Sequence, residues 1–389
     1  MKHRRWPRLA AICDTPAGRI SRLLLRAALC ALLLPLPAAA QDAEVIYEVR
    51  SRYQLITVLD TANGYRQLVF DGRFDGTDAI QSEMKLANPD EPTLSYARHM
   101  MAALPVVDRP RRILVVGLGG ACIQRYLRKL LPDATIETAE LDPEIRNVAA
   151  KYFFFKEDAR QVVHLGDGRA FIERSKDRYD IIFLDAFTAT SIPYHLTTRE
   201  FLQALKDRLA EGGVACANLW AAEANYWDMV KTYSTVFPEL HVVDCAGSTN
   251  SIVLATPAKM ALTVQAWADK AAAFEKTHPT GLDLPQLILR GAAATTSIPD
   301  TARVLVDKGT DNPGAPQRFT SRQGTATASG FRRGRRVPYV TQRQAHSTGP
   351  IVNPRSHTWL SQARSANTGS DSATTGSAVS FVKRPSPVP

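Results

Sequence analysis

The stretch "RRILVVGLGGACIQRYL", Arg111 to Leu127, constrains the fold more than any other. A run of apolar β-branched residues ends in Gly117, Gly119 and Gly120, and a helix-forming segment follows at once. Glycine at such a turn lets the backbone pass close to a ligand whose polar groups meet the helix N-terminus. The alternation continues beyond it. Strand patterns fall at "RILVVGL", "TIETAEL", "RQVVHLG", "YDIIFLDA" and "GVACANLW", with helical patterns at "CIQRYLRKLL", "PEIRNVAAKYF", "GRAFIERS", "TTREFLQALKDRLA" and "ANYWDMVKTYSTVF". Strand and helix in turn predict a mostly parallel α/β sheet covered on both faces. The runs "LHVVDCAG" and "NSIVLATP", joined by "GSTN", read as a closing hairpin with one antiparallel strand.

A second region precedes this one. Residues 45–80 alternate with the strand period, and Asn63-Gly64 lies between two such runs, a hairpin signature. A small antiparallel β-domain is expected over 41–92, with a helical connector from about Thr93 to Leu104 ended by Pro105. The α/β domain would then occupy 93–310.

Charge divides the chain differently. Residues 1–40 carry +6 and residues 301–389 carry +10, so residues 41–300 carry −6 of the total +10. A basic fold would point to nucleic acid, but here the excess sits at the two ends, and no nucleic-acid partner is expected. Seven basic residues come before or within the start of the apolar run "AALCALLLPLPAAA", which ends in Ala38, Ala39 and Ala40. This is the pattern of an export signal cut after Ala40, leaving a periplasmic or secreted chain with no membrane attachment. Beyond 310 the sequence turns to Ser, Thr, Gly and Arg without apolar period, and 311–389 is expected to be a disordered basic tail. Cys122, Cys216 and Cys245 have no metal-type spacing, and no metal or redox role is expected of them.

Acids at the ends of the predicted strands carry the chemistry. Glu140, in "TAELDPEI", lies about 20 residues past the glycines, where a carboxylate accepts from ribose hydroxyls. Asp142 would cap the next helix, with Pro143 at its first position. Asp167, before Gly168 in "HLGDGRAF", could bond an exocyclic amine, and Asp185 ends the fourth strand in "IIFLDAF". All fall at the edge where open α/β sheets bind ligands. His195 reads as a surface residue of a loop, and Tyr152 to Phe155, Trp220 and Trp227 read as packing.

In order, "ILVVGLGG", "AELDP", "VVHLGDGRAFI", "YDIIFLDAF" and "HLTTREFLQALKDRLAEGGV" resemble the spermidine synthase family of polyamine aminopropyltransferases, over roughly Val45 to Ala258. The resemblance implies a Rossmann-like class I methyltransferase fold behind a small β-domain, and a nucleoside sulfonium co-substrate, decarboxylated S-adenosylmethionine or S-adenosylmethionine itself. Glu140 would bind its ribose and Asp167-Gly168 its adenine, while Gly117 and Gly119 would pass beside its chain. Asp185 would orient a small-molecule amine such as putrescine and accept its proton, with Asp75, Tyr96 and Tyr194 around that amine. A homodimer is left open. The chain also departs from the family. No acid stands near Gly120, "DAFTATSIP" replaces "DSSDP" so that Thr188 takes the place of the second acid, and Tyr96 is displaced by one position. A small-molecule methyltransferase and a non-catalytic nucleoside-binding relative remain open beside the aminopropyltransferase reading.

Overall fold

The computed structural model describes residues 41–71, 80–188, 191–292, 297–307 and 335–339, with the backbone alone for 41–42 and 335–339. Segment 1–40, Asp75 and most of 311–389 lie outside the described residues, so the export signal and most of the tail are not addressed by it. The chain divides into one unit over 1–345 and a second over 346–389, the latter wholly outside the described residues.

Strands β1 (Gln41–Arg50), β2 (Leu55–Thr61), β3 (Tyr65–Phe70) and β4 (Ile80–Lys85) form an antiparallel sheet. Asn63-Gly64 makes the β2–β3 turn, with Gly64 at φ +82° donating its N–H to the Thr61 carbonyl at 3.0 Å. β1 takes a further antiparallel partner from far along the chain, Arg335–Tyr339. That segment was expected to belong to a structureless tail. Its alternation is too short, and its Pro338 too unfavourable to a central strand, for the pattern to be read from sequence. At the sheet edge, pairing on one side alone suffices.

A seven-stranded sheet follows, containing β5 (Arg112–Val116), β6 (Thr135–Glu140), β7 (Gln161–Leu165), β8 (Tyr179–Leu184), β9 (Leu209–Trp220), β10 (Glu239–Asp244) and β11 (Asn250–Thr256). Its order is β10-β11-β9-β8-β5-β6-β7, parallel throughout except for β11, which runs against both neighbours. Successive side chains serve opposite faces. Ile113 and Val115 of β5 join one buried cluster, with α2 (Cys122–Leu130), α7 (Val264–Thr277) and α8 (Leu284–Gly291) packed against it. Leu114 and Val116 join the other, beneath α4 (Gly168–Arg174), α5 (Arg199–Lys206) and α6 (Tyr226–Val236). Both faces are covered, as the continuous apolar strands require.

Between the sheets, α1 (Ser95–Met100) passes into a 3-10 turn, Met101–Val106, that includes Pro105. The connector was expected to stop at this proline. A 3-10 turn runs through it to Val106, and the Ala102 carbonyl, which Pro105 has no N–H to serve, accepts from Trp267 Nε1 at 2.9 Å. The helix expected over 197–210 is shorter, because β9 already begins at Leu209. Helices α7 and α8 were not read from the sequence. The first sheet is seated on the second by a third cluster: Ile56, Val58, Leu68 and Met84 pack with Leu118, Ala121 and Phe153, and with Ile145 and Val148 of α3 (Pro143–Tyr152). The small domain therefore rests directly on the glycine turn and the helix after β6.

Candidate active site

A cavity of about 1730 Å³ opens at the carboxyl ends of β5, β6, β7, β8 and β9, bounded on one side by Arg52, Tyr53 and Ser82 of the first sheet. The glycine turn forms its floor. Gly117 has φ +101°, and a Cβ there would lie 2.2 Å from the Asp185 carbonyl oxygen. Glycine is required on both counts. Gly119, at φ +53°, would place a Cβ 2.7 Å from Ser82 Oγ. Gly120 donates its N–H to that same hydroxyl at 2.9 Å, and a Cβ on it would meet Ser82 Cβ and a Phe153 ring carbon, each at 2.9 Å. This gives the missing acid a physical reason: position 120 faces the packed first sheet and α3, where a carboxylate has no room.

Three strand-end carboxylates face the cavity. Glu140, 8 % exposed, accepts from Leu118 N through Oε2 at 2.9 Å and from Asp142 N through Oε1 at 2.7 Å. Burial pushes its pKa up to about 7, against the pull of those backbone donors. The Leu141 N–H also contributes, and a carboxylate has about four acceptor positions, so capacity remains for a hydroxyl donor. Asp167 caps α4, accepting from Ala170 N at 2.9 Å, and bonds His195 Nε2 at 2.7 Å through its other oxygen. Burial raises its pKa, but the His195 and backbone bonds outweigh it and hold the group below the usual carboxylate range. Gly168 follows because a Cβ would lie 2.4 Å from Val116 Cγ1. Asp185 is half-buried, and desolvation pushes its pKa up to about 6; it accepts from Asn218 Nδ2 at 3.0 Å and lies in hydrogen-bond contact with the Tyr96 hydroxyl. The Tyr96 hydroxyl has one proton to share between Asp185 and the Gln81 carbonyl, 3.0 Å away, and its pKa is raised well above the ordinary phenol value, first by burial and then by Asp185. Two carboxylates near neutrality and one held ionised give the site a proton acceptor, a hydroxyl binder and a fixed anion.

Comparison with known proteins adds to this geometry. Residues 94–246 match the spermine/spermidine synthase domain. The polyamine aminopropyltransferase of Vibrio vulnificus is 35 % identical over 222 residues, which are 56 % of this chain and 73 % of that protein. This chain belongs to the polyamine aminopropyltransferase family. The polyamine aminopropyltransferase of Chromobacterium violaceum is 30 % identical over 218 residues, 55 % of this chain and 83 % of that one. In fold, a probable spermidine synthase from Corynebacterium glutamicum aligns with TM-score 0.51 at 18 % identity, covering 60 % of this chain and 86 % of that one.

Within the aminopropyltransferase frame, the expected residues separate into groups. Gly117, Gly119, Glu140, Asp167, Gly168, Asp185, Tyr96 and Tyr194 all line the one cavity. Asp75 lies outside the described residues. Thr188 donates to the Ser191 carbonyl at 3.0 Å and shapes the loop after β8. Tyr194 donates to the Val306 carbonyl at 2.9 Å, so the segment 302–307 ties that loop down. Arg169 reinforces the tie, bonding both Asp307 oxygens at 2.7 and 2.6 Å.

Sequence reasoning missed three residues. His195 is 13 % exposed in its side chain and bound to Asp167, not a surface residue. Asn218 lies near the carboxyl end of β9 and reaches Asp185. Glu223 lines the cavity beyond β9, accepts from Ile192 N at 2.9 Å, and has its pKa raised by burial. Asn218 had a signal, a polar residue at the carboxyl end of a parallel strand. His195 and Glu223 had none, since each is defined by a partner on another loop. Among the described residues, no group of three or more His, Cys, Asp or Glu is arranged to hold a metal ion.

Proposed function

We propose that this chain transfers an aminopropyl group from decarboxylated S-adenosylmethionine to a small amine such as putrescine. The observation that carries the reading is Asp185. It is a half-buried carboxylate held by the Asn218 amide and the Tyr96 phenol, at the end of β8 beside the glycine turn. With a pKa of about 6 it is ionised at neutral pH yet basic enough to take a proton. The amine nitrogen, held neutral, attacks the carbon beside the sulfonium. The new C–N bond forms as the C–S bond breaks, its electron pair goes to sulfur, and the amine proton goes to Asp185. Sulfur leaves as the neutral thioether methylthioadenosine, so orientation and a base supply what the step needs. Glu140 would take the ribose hydroxyls and Asp167-Gly168 the adenine edge. Glu223 and Asp185 give the amine end two carboxylates, which suits an acceptor carrying more than one ammonium group.

Gly120 favours a second reading. An intact S-adenosylmethionine carries a carboxylate that an acid in the glycine turn would repel, and this turn has no room for one. Calorimetry with both sulfonium nucleosides decides between the two. Tighter binding of the decarboxylated form supports aminopropyl transfer, and tighter binding of the intact form supports methyl transfer.

The N-terminal pattern supports export, with cleavage after Ala40; β1 begins at Gln41, the next residue. Fractionation with N-terminal sequencing tests this. A mature chain starting at Gln41 outside the cytoplasm is expected, and a cytoplasmic chain retaining residues 1–40 would contradict it.

A further inference from the structure

Asp185 stands at the end of a hydrogen-bond chain that leads away from the substrate. Asn218 Nδ2 donates to Asp185 Oδ1 at 3.0 Å, Asn250 Nδ2 donates to Asn218 Oδ1 at 2.9 Å, and Ser248 Oγ donates to Asn250 Oδ1 at 2.6 Å. Asn218 is 4 % exposed and lies two residues before the end of β9; Asn250 begins β11, opposite Trp220 in the register, and Ser248 lies in the β10–β11 turn. An ionised carboxylate only accepts, so the Asn218 amide must turn its NH2 to Asp185, which fixes the direction of every bond behind it. The turn is itself anchored. Trp220 Nε1 donates to Thr249 Oγ1 at 2.7 Å, and Ala221 N donates to the Thr249 carbonyl at 2.8 Å.

We propose that Asn218 and Asn250, with Ser248 behind them, are positioning residues that cap Oδ1 of Asp185 and hold the carboxylate, which the Tyr96 hydroxyl also contacts, in line to receive the amine proton. The chain is neutral along its whole length, and that matters for a base. A cation at the same place would orient the carboxylate equally well but would also suppress its basicity. The titratable groups that face Asp185 from the packed elements are neutral too. They are Tyr96 of α1, Cys122 of α2 and Cys216 of β9, each with its pKa raised first by burial. The closing hairpin β10–β11 thus sets the base that acts at the end of β8.

The proposal rests on the aminopropyltransferase reading for its kinetic test and on the geometry alone for its spectroscopic one. Variants Asn218→Leu and Asn250→Ala are compared with wild type for turnover of decarboxylated S-adenosylmethionine with putrescine, and for methylthioadenosine affinity by calorimetry. Expected are a roughly tenfold or greater loss of kcat for Asn218→Leu and a smaller loss for Asn250→Ala, with methylthioadenosine affinity within about twofold. Removing a donor to the ionised form also raises the pKa of Asp185, so the acid limb of the kcat profile moves up by roughly one pH unit in Asn218→Leu. Carbon NMR of 13C-labelled aspartate follows the same titration without turnover, assigned by its loss in Asp185→Asn. Ser248→Ala, which touches only the far end, supplies a graded variant should Asn218→Leu fail to fold. A parallel fall in methylthioadenosine affinity and rate, or an Asp185 titration unchanged in Asn218→Leu and Ser248→Ala, overturns the proposal. If wild type turns over neither sulfonium nucleoside, the transfer reading fails, while the NMR titration still decides the relay.

Discussion

Glu140 shows how one buried side chain couples stability to binding. Its folded-state pKa is about 7 against an ordinary 4.5, so the stability linked to it is fully present below about pH 4.5 and is lost as pH rises through 7. A ligand that gives hydroxyl donors to the ionised form reverses this slope. Methylthioadenosine affinity, followed by calorimetry between pH 5.5 and 8, should therefore rise with pH, and Glu140→Gln should bind more weakly without that rise. A flat wild-type profile would remove Glu140 from the ribose site. Substitution by alanine is the poorer test, because Leu118 and Asp142 would each lose an acceptor for a buried N–H. At Gly117 the steric argument is simpler. Gly117→Ala puts a methyl 2.2 Å from a backbone oxygen, and loss of nucleoside binding with a lower melting temperature is expected. Wild-type affinity in that variant would show that the turn can open. Glu140, Asp167 and Asp185 were legible in the sequence because each ends a strand whose period announces it. His195 and Glu223 were not, because Asp167 and Ile192, the groups that give them a role, belong to other segments.

At the scale of elements, the parallel sheet was readable since both its faces are apolar, and β5 to β9 fall where the alternation placed them. The misread parts have local causes. At Pro105 the carbonyl left without a backbone donor is served by Trp267, far along the chain, and "RRVPY" gains its strand from the edge of β1, about 290 residues earlier in the chain. Segment 302–307 is similar: no periodicity marks it, yet several hydrogen bonds hold it, among them Arg303 N to Asp228 Oδ1 at 2.8 Å. Arg199 N donates to the Leu305 carbonyl, Leu305 N to Thr232 Oγ1 and Asp307 N to Glu200 Oε2, while Tyr194, Thr198 and Arg169 bond it through their side chains. The Arg169–Asp307 pair is part-exposed, so its contribution is discounted to about 1 kcal/mol. Asp307→Ala should lower the melting temperature by roughly 2–4 °C. It should also loosen the loop carrying Tyr194 and His195, raising KM for the amine more than it lowers nucleoside affinity. An unchanged KM would mean that the strap supports stability alone.

For the whole molecule, the seating of the small sheet on the glycine turn makes the two regions one functional body, because Ser82 of the first shapes Gly119 and Gly120 of the second. Nothing local in the sequence of either region shows this. A chain ending at Ala345 keeps all of the first unit, including the pairing of β1 with Arg335–Tyr339, and should melt as the full chain does, by calorimetry. A chain ending at Asp307 keeps the strap but uncovers the edge of β1, and should melt lower or self-associate. The central claim, that this cavity joins a nucleoside-borne aminopropyl group to an amine through Asp185, is tested most directly by product analysis. The full chain is incubated with decarboxylated S-adenosylmethionine and putrescine, and the products are read by mass spectrometry. Spermidine and methylthioadenosine should appear in equal amounts from wild type and fall by about 100-fold or more in Asp185→Asn. Equal yields from the two proteins, or no spermidine from a wild type that binds the decarboxylated nucleoside, would contradict the account.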